Sequence, residues 1–213
     1  MITKTLITAP VLGFLLIMTL GATSCCRPSD GFSEKELALI EGTDSIMRVL
    51  TVEDSLDNAV LRTSSRDFSI ESLQSETFAE LARLMVATVT HPSQDGVGIA
   101  GPQVGLKRRV VAVQRFDKEE NPFEVYPNIS IVWASDSLRL GPEGCLSVPG
   151  RRGDVLRSRE IVIEYADMDN LRSSGQKRPE SIPMVRDTIR GFTAVIFQHE
   201  VDHLDGTLYI DRL

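Results

Sequence analysis

Two histidines one helical turn apart, with a glutamate between them, are the first residues in this sequence whose spacing could do chemistry. His199, Glu200, Val201, Asp202 and His203 spell H-E-x-x-H. On a helix, positions i and i+4 share a face, so both imidazoles would aim at one point and hold a divalent metal there. Glu200 would then stand where a general base can act on a water at that metal. The chain has only three histidines, and two of them fall in this pattern. Phe192, Val195 and Ile196 begin the same stripe that His199 and His203 end. A helix that buries its aliphatic half carries the imidazoles inward too, where an unpaired ring is costly unless it is hydrogen-bonded or bound to metal.

A hydrolytic metal takes three protein ligands and leaves one position for water. After His203 the only acidic residues are Asp205 and Asp211, so the third ligand is expected upstream. His91, an acidic residue and Cys145 are the candidates. Cys145 is the strongest, because a thiolate binds such metals tightly and the flanking Glu143, Gly144, Leu146 and Ser147 read as a tight turn able to present it. Cys25 and Cys26 lie far away beside an apolar run, so Cys145 has no evident disulfide partner and is a packing residue, a nucleophile or a ligand. Residues 96–103, G-V-G-I-A-G-P-Q, are rich in glycine but lack both the helix start of a dinucleotide loop and the lysine of a P-loop. Small residues there would let a peptide backbone approach closely, with Gln103 offering its amide to a substrate oxygen.

Regular elements must position these groups. Leu73, Phe78, Leu81, Leu84, Met85 and Val89 recur at helical intervals and predict an amphipathic helix over residues 72–90. Residues 109–113, 123–130, 131–134 and 160–165 read as extended segments, and the H-E-x-x-H helix follows Gly191. Short strands in succession before a final helix predict an α+β fold, with antiparallel sheets packed around a C-terminal metal-binding helix. The length of 213 residues suits one domain with an N-terminal extension. A formal charge of −7 argues against broad nucleic-acid binding. The one dense basic group, Arg151, Arg152, Arg157 and Arg159, reads as a local anion or peptide contact.

The first 24 residues read as processing rather than fold. Lys4 precedes an apolar run over residues 11–20, too short for an ordinary membrane-spanning helix, and small residues lead into Cys25. This layout resembles the processing site of bacterial lipoproteins, in which the cysteine is lipidated, although Ala22 stands where a larger aliphatic residue is usual. Residues 25–50 read as a tether and N-terminal extension, polar at first and then with helical spacing interrupted by Gly42.

Three segments stand in order: G-V-G-I-A-G-P-Q at 96–103, E-G-C-L-S at 143–147 and Q-H-E-V-D-H-L at 198–204. Together they resemble the signature motifs of peptide deformylases, and the similarity runs from about residue 61 to residue 212. The resemblance implies a catalytic domain over residues 51–213 that removes the formyl group from N-formylmethionyl peptides or nascent proteins. It implies Cys145, His199 and His203 as ligands of one divalent metal, Fe²⁺ in the family, with Zn²⁺, Ni²⁺ or Co²⁺ able to replace it. Glu200 would be the general base, while the Gln103 amide and the Leu146 backbone N–H would stabilise the oxyanion. Gly98 would contact the substrate backbone, Val195 and Ile196 would line the methionine pocket, and Glu143 would pair with Arg157. Three positions depart from the family pattern: Gly101 replaces an alanine and would loosen Gln103, Tyr126 replaces an asparagine, and Asn170 takes a turn position suited to the left-handed region. The rival readings are a general H-E-x-x-H peptidase and a non-catalytic, metal-stabilised surface binding protein. The leader sets an exported lipoprotein attached to a membrane through Cys25 against the cytoplasmic placement of ordinary deformylases.

Overall fold

Side-chain caps fix where the early helices begin. Residues 31–173 and 180–213 are described in the computed structural model, so the expected signal segment and Cys25 lie outside the described residues. Ser33 opens α1 (Glu34–Glu41) with a capping box, its hydroxyl accepting from the Glu36 N–H while the Glu36 carboxylate accepts from the Ser33 N–H. Asp54 caps α2 (Ser55–Leu61) in the same sense. The helix predicted over residues 72–90 is two helices, α3 (Ile70–Gln74) and α4 (Glu76–Val89). Ser75 separates them. Its backbone is extended (φ −80°, ψ 156°) and its hydroxyl accepts from the Phe78 N–H, a local bond that competes with continued helix.

The remaining chain is mostly strand. β1 (Gly98–Ala100) runs into a 3-10 turn at Gly101–Val104, followed by β2 (Val110–Gln114), β3 (Phe123–Pro127) and β4 (Ser130–Ala134). Asn128 breaks the expected run over 123–130 by adopting φ 53°. Next come β5 (Leu138–Cys145), β6 (Val148–Ser158), β7 (Glu160–Ala166), α5 (Met168–Ser173), β8 (Met184–Arg190) and α6 (Gly191–Leu204), with a last 3-10 turn at Tyr209–Arg212. Asn170 lies inside α5 rather than in a left-handed turn, and its N–H donates to Asp167, which opens that helix.

All pairings between these strands are antiparallel, in sheets ordered β1-β2-β3 and β4-β7-β8 and a hairpin β5-β6. The architecture is α+β, as the sequence predicts. The first sheet is covered on both faces. Val110 and Ala112 join the core with α4, while Val111 and Val113 join the core with α6, which is why residues 110–113 read as an unbroken apolar run. Tyr126, placed where the family resemblance suggests asparagine, is buried edge-on against Tyr165 and Phe197, and its hydroxyl accepts from Arg115.

Residues 31–50 are part of this packing. Phe32, Ile40 and Met47 are buried with Phe68, Phe78 and Leu84. Arg108, only 4 % exposed, sits over the rings of Phe32 and Phe68 and bonds Glu36 at 2.6 and 3.1 Å. Burial opposes ionisation of Glu36, but the Arg108 and Ser33 hydrogen bonds win and hold its pKa at about 2. A lowered carboxylate pKa adds stability above the ordinary value of about 4.5 that is lost as the pH falls towards 2. Arg108→Ala should therefore destabilise the fold by about 1–3 kcal/mol, by removing the main partner of a half-buried carboxylate that keeps Ser33 and Arg66 and by stripping the guanidinium from the Phe32 and Phe68 rings. Urea unfolding at neutral pH checks this, and the deficit should shrink as the pH drops below 4 and Glu36 protonates in both states.

Candidate metal centre and catalytic cleft

α6 enters between the sheets on the strength of Ala194, Ile196, Phe197, Val201 and Leu204, all buried. His199 and His203 are carried in on the same helix and are buried as well. Cys145 meets them from the end of β5, at the tip of the β5-β6 hairpin. Its sulfur lies 3.2 Å from His203 Nε2. The three donor atoms lie within 4.8 Å of one another and form a group able to hold a metal ion. The other ligand candidates lie elsewhere: His91 is exposed and bonded to Ser93, Asp205 pairs with Arg109, and Asp211 pairs with Arg62.

The donor set suits a divalent transition metal, two imidazoles and a thiolate with room for a fourth ligand. Local charge agrees. His199 Nδ1 bonds Glu143 Oε2 at 2.8 Å, which leaves Nε2 to face the cluster. Burial disfavours charge on His199, yet the Cys145 and Glu143 side chains outweigh it and raise its pKa to about 10. The Glu143 carboxylate and the Cys145 sulfur thus draw positive charge to this point, the place a divalent metal would take. His203 shifts the opposite way, because burial and the His199 charge both favour the neutral ring, the form that can ligate.

Glu143 is itself fixed. Arg157 grips it through Nε at 2.7 Å and Nη2 at 2.9 Å, and turns Nη1 to Asp202 at 2.6 Å. Arg212 from the last turn closes on the same Asp202. Despite burial, the bonds from Arg157 and His199 hold the Glu143 pKa at about 2. Tyr209 stacks on His199, ring centres 6.0 Å apart and 22° from parallel. Glu143, Arg157 and Asp202 therefore form one buried charged chain ending on a ligand histidine.

Glu200 is buried beside the cluster, and its Oε2 has no hydrogen-bond partner among the described residues. Burial, ahead of the surrounding charges, lifts its pKa to about 7. Gly98 explains how it fits: a Cβ there would stand 2.5 Å from Glu200 Oε1 and 2.9 Å from its Cδ. The glycine makes room for the carboxylate, a role the sequence did not disclose. Gln103 is 1 % exposed; its Oε1 accepts from the Ala100 N–H at 2.8 Å, and its Nε2 points to Ser147 Oγ at 3.2 Å and Cys145 Sγ at 3.6 Å. At Gly101, which replaces the family's alanine, a Cβ would meet the Arg108 carbonyl at 2.6 Å and the Leu106 carbonyl at 2.8 Å, so in this chain glycine fits the turn as it closes beside Gln103.

These groups open on a cleft of about 870 Å³ lined by Gly98, Gln103, Cys145, Leu146, Val195 and Ile196 among others. Every predicted site residue is therefore in one place. Phe192 also borders the cleft and leans on Phe116 at 5.4 Å; its position on the helical stripe was the available signal. Of the basic group, Arg157 is buried in the charged chain, Arg159 bonds the Leu138 carbonyl, and Arg151 and Arg152 border the cleft.

The sequence profile of the polypeptide deformylase family matches residues 46–213. The chain belongs to the peptide deformylase family. The peptide deformylase of Leptospira biflexa is 37% identical over 165 residues, covering 74% of this chain and 84% of that protein. Peptide deformylase 2 of a Nostoc species is 39% identical over 151 residues, covering 68% and 76%. Among solved structures, the actinonin-bound class I type b deformylase of Acinetobacter baumannii superposes with a TM-score of 0.65 at 32% identity, covering 80% of this chain and 99% of that one. The Thermotoga maritima deformylase does so at 28% identity, with the same TM-score and coverage.

For this deformylase chain, Glu143→Gln should preserve packing while weakening metal affinity by roughly 10–100-fold, the usual cost of losing a carboxylate behind a ligand histidine. Competition with a chromogenic chelator reads the effect, and unchanged affinity would remove Glu143 from the orientation of His199.

Proposed function

We propose that the chain hydrolyses the formyl amide of N-formylmethionyl peptides, releasing formate and the free amine. The observation that carries this is Cys145, His199 and His203 converging beside Glu200 and the fixed amide of Gln103, in one cleft of a chain of this family. A divalent metal held by the three ligands would polarise the formyl oxygen and acidify the attacking water. Glu200, with a pKa near neutrality and a free oxygen facing inward, takes the proton from that water as its oxygen bonds to the formyl carbon. The Gln103 N–H and the Leu146 backbone N–H donate to the oxyanion that develops. Glu200 then hands the proton to the departing nitrogen as the carbon–nitrogen bond breaks.

Recognition follows from the walls of the cleft. Val195 and Ile196 offer apolar surface to the methionine side chain. β1 is an edge strand of its sheet, and Gly96, Val97 and Gly98 border the cleft, so an extended peptide backbone can lie along it with Gly98 at close approach. Cys145 as an upstream third ligand speaks against a general H-E-x-x-H peptidase, and the retained base and amide donor speak against a pure binding protein. A deformylase of Acinetobacter baumannii with Met-ala-ser bound has the same fold at a TM-score of 0.65, which favours short peptides as test substrates.

Formyl-Met-Ala-Ser should be deformylated by residues 31–213, with one metal per chain measured on the same sample. Glu200→Gln should keep that metal and lose about 10²–10⁴-fold in kcat. Near wild-type turnover at full occupancy would exclude Glu200 as the base.

Location follows a separate reading. No helix among the described residues is long and apolar enough to cross a membrane, and the relatives are ordinary deformylases. The apolar run over residues 11–20 and the small residues before Cys25 support export and attachment through a lipid on Cys25. Beside a thiolate in an oxidising compartment Fe²⁺ is vulnerable, which favours Zn²⁺ there and exported or scavenged formyl peptides as substrates. Protease protection in fractionated cells, with mass spectrometry of the N-terminus, should find a lipidated Cys25 on the far side of the membrane. A soluble cytoplasmic chain beginning at Met1 would overturn export while leaving the chemistry intact.

A further inference from the structure

The cleft continues past the reacting groups to a lip built by an irregularity in the β5-β6 hairpin. Cys145 pairs with Val148, yet Gly144 already pairs with Arg152, so Pro149, Gly150 and Arg151 are extruded as an extra loop. Gly150 makes the turn possible at φ 70°. The loop delivers two arginines to the substrate space. Arg151 and Arg152 both border the cleft, and Arg152 lies across Gly144, with Cγ 3.6 Å and Nε 3.9 Å from where a Cβ on that glycine would stand.

Neither arginine makes an ion pair with a described residue, unlike Arg157 in the same hairpin. The acidic groups that share the cleft are committed or remote in kind: Glu143 is held by Arg157 and His199, Glu200 is buried at the reacting centre, and Asp95 is exposed on the segment before β1. In a chain of net charge −7, two adjacent unpaired guanidinium groups beside a substrate cleft are a local attractor for anions. Their planar forks match a carboxylate in particular.

We propose that Arg151 and Arg152 receive a carboxylate from the peptide downstream of its formylmethionyl residue. The inference rests on the deformylase reading, which places the formyl end at Cys145, Gln103 and Glu200 and the methionine against Val195 and Ile196. The remaining peptide then leaves towards the lip. The carboxylate is either the free C-terminus of a short peptide or an acidic side chain near the N-terminus of a longer one. Because that charge is distant from the bond that breaks, it stabilises the bound substrate and the transition state alike and is read in KM, with kcat unchanged.

Three substrates separate the sources: formyl-Met-Ala-Ser with a free C-terminus, the same peptide as its C-terminal amide, and formyl-Met-Ala-Glu amide. The metal-loaded enzyme at low salt should favour at least one carboxylate-bearing peptide over formyl-Met-Ala-Ser amide by roughly tenfold in kcat/KM, the scale of two partly exposed ion pairs. Preference for the first peptide assigns the site to the C-terminus, and preference for the third assigns it to a side chain. The R151Q/R152Q double variant should abolish the preference, bringing the ratio of kcat/KM between carboxylate-bearing and neutral peptides to about one. Equal kcat/KM for all three peptides, or a preference that survives in the double variant, would overturn the proposal. Calorimetric binding of the products Met-Ala-Ser, Met-Ala-Ser amide and Met-Ala-Glu amide gives a readout independent of turnover. An enzyme inactive on every formyl peptide sinks the functional reading, whereas equal affinity for all three products sinks the arginine site.

Discussion

A helix that buries two imidazoles must find partners for both, and this demand organises the molecule around α6. The helix is inserted by its apolar residues, Phe197, Val201 and Leu204 among them, and the polar groups go in with it. Each would be costly if left unpaired in an apolar setting. The answer comes from the β5-β6 hairpin, which brings Cys145 to His203 and Glu143 to His199 in one stroke. Arg157, from the returning strand, neutralises Glu143 and reaches Asp202 on α6 itself, so helix and hairpin are tied through a charged chain that begins and ends on the metal-binding motif. Buried ion pairs of this kind add little net stability but are damaging to break. What this one supplies is geometry, because the bond at His199 Nδ1 decides which nitrogen faces the ligands.

The same crowding explains the glycines. Gly98 leaves the space that the Glu200 carboxylate occupies, and Gly101 leaves the space that two backbone carbonyls occupy. Each clearance serves a reacting group at one remove: the first admits the base, and the second lets the 3-10 turn close so that the Gln103 amide is held by Ala100 and Ser147. Packing and chemistry are therefore inseparable on this side of the cleft. A Cβ at Gly98 would press on the Glu200 carboxylate, and one at Gly101 would press on the Arg108 and Leu106 carbonyls, without either touching substrate.

A parallel device anchors the beginning of the described chain. Arg108 lies between Phe32 and Phe68 and bonds Glu36, which also closes the capping box of α1. The family profile begins at residue 46, yet Phe32 and Ile40 are as buried as the residues of α4. The segment read as an extension contributes to the core from Phe32 onward. Its lack of obvious amphipathic length concealed this, since eight residues of helix around one buried isoleucine give little periodic signal.

Local rules settled much of this in advance. The spacing of His199 and His203, the solitary Cys145 and the stripe through Ile196 identify a metal-binding helix because ligand chemistry and helical period are properties of a few neighbouring residues. Residues 109–113 read as an extended segment for the same reason, although only the fold shows them buried on both faces. What the tertiary structure decided are the relations between distant segments. The break at Ser75, the long β5-β6 hairpin with its extruded Arg151, and the packing of residues 31–50 depend on competition between a local preference and contacts made far along the chain. Taken alone, Arg157 reads as part of a basic anion or peptide contact, and the family resemblance pairs it with Glu143; only the fold shows that it also holds Asp202 and that Glu143 reaches His199. Gly98 reads as room for a substrate backbone and Gly101 as loop flexibility, yet in the fold their clearance is set by Glu200 and by the Leu106 and Arg108 carbonyls. A sequence carries which atoms are available, but clearances of a few ångströms between remote segments exist only once the chain has folded.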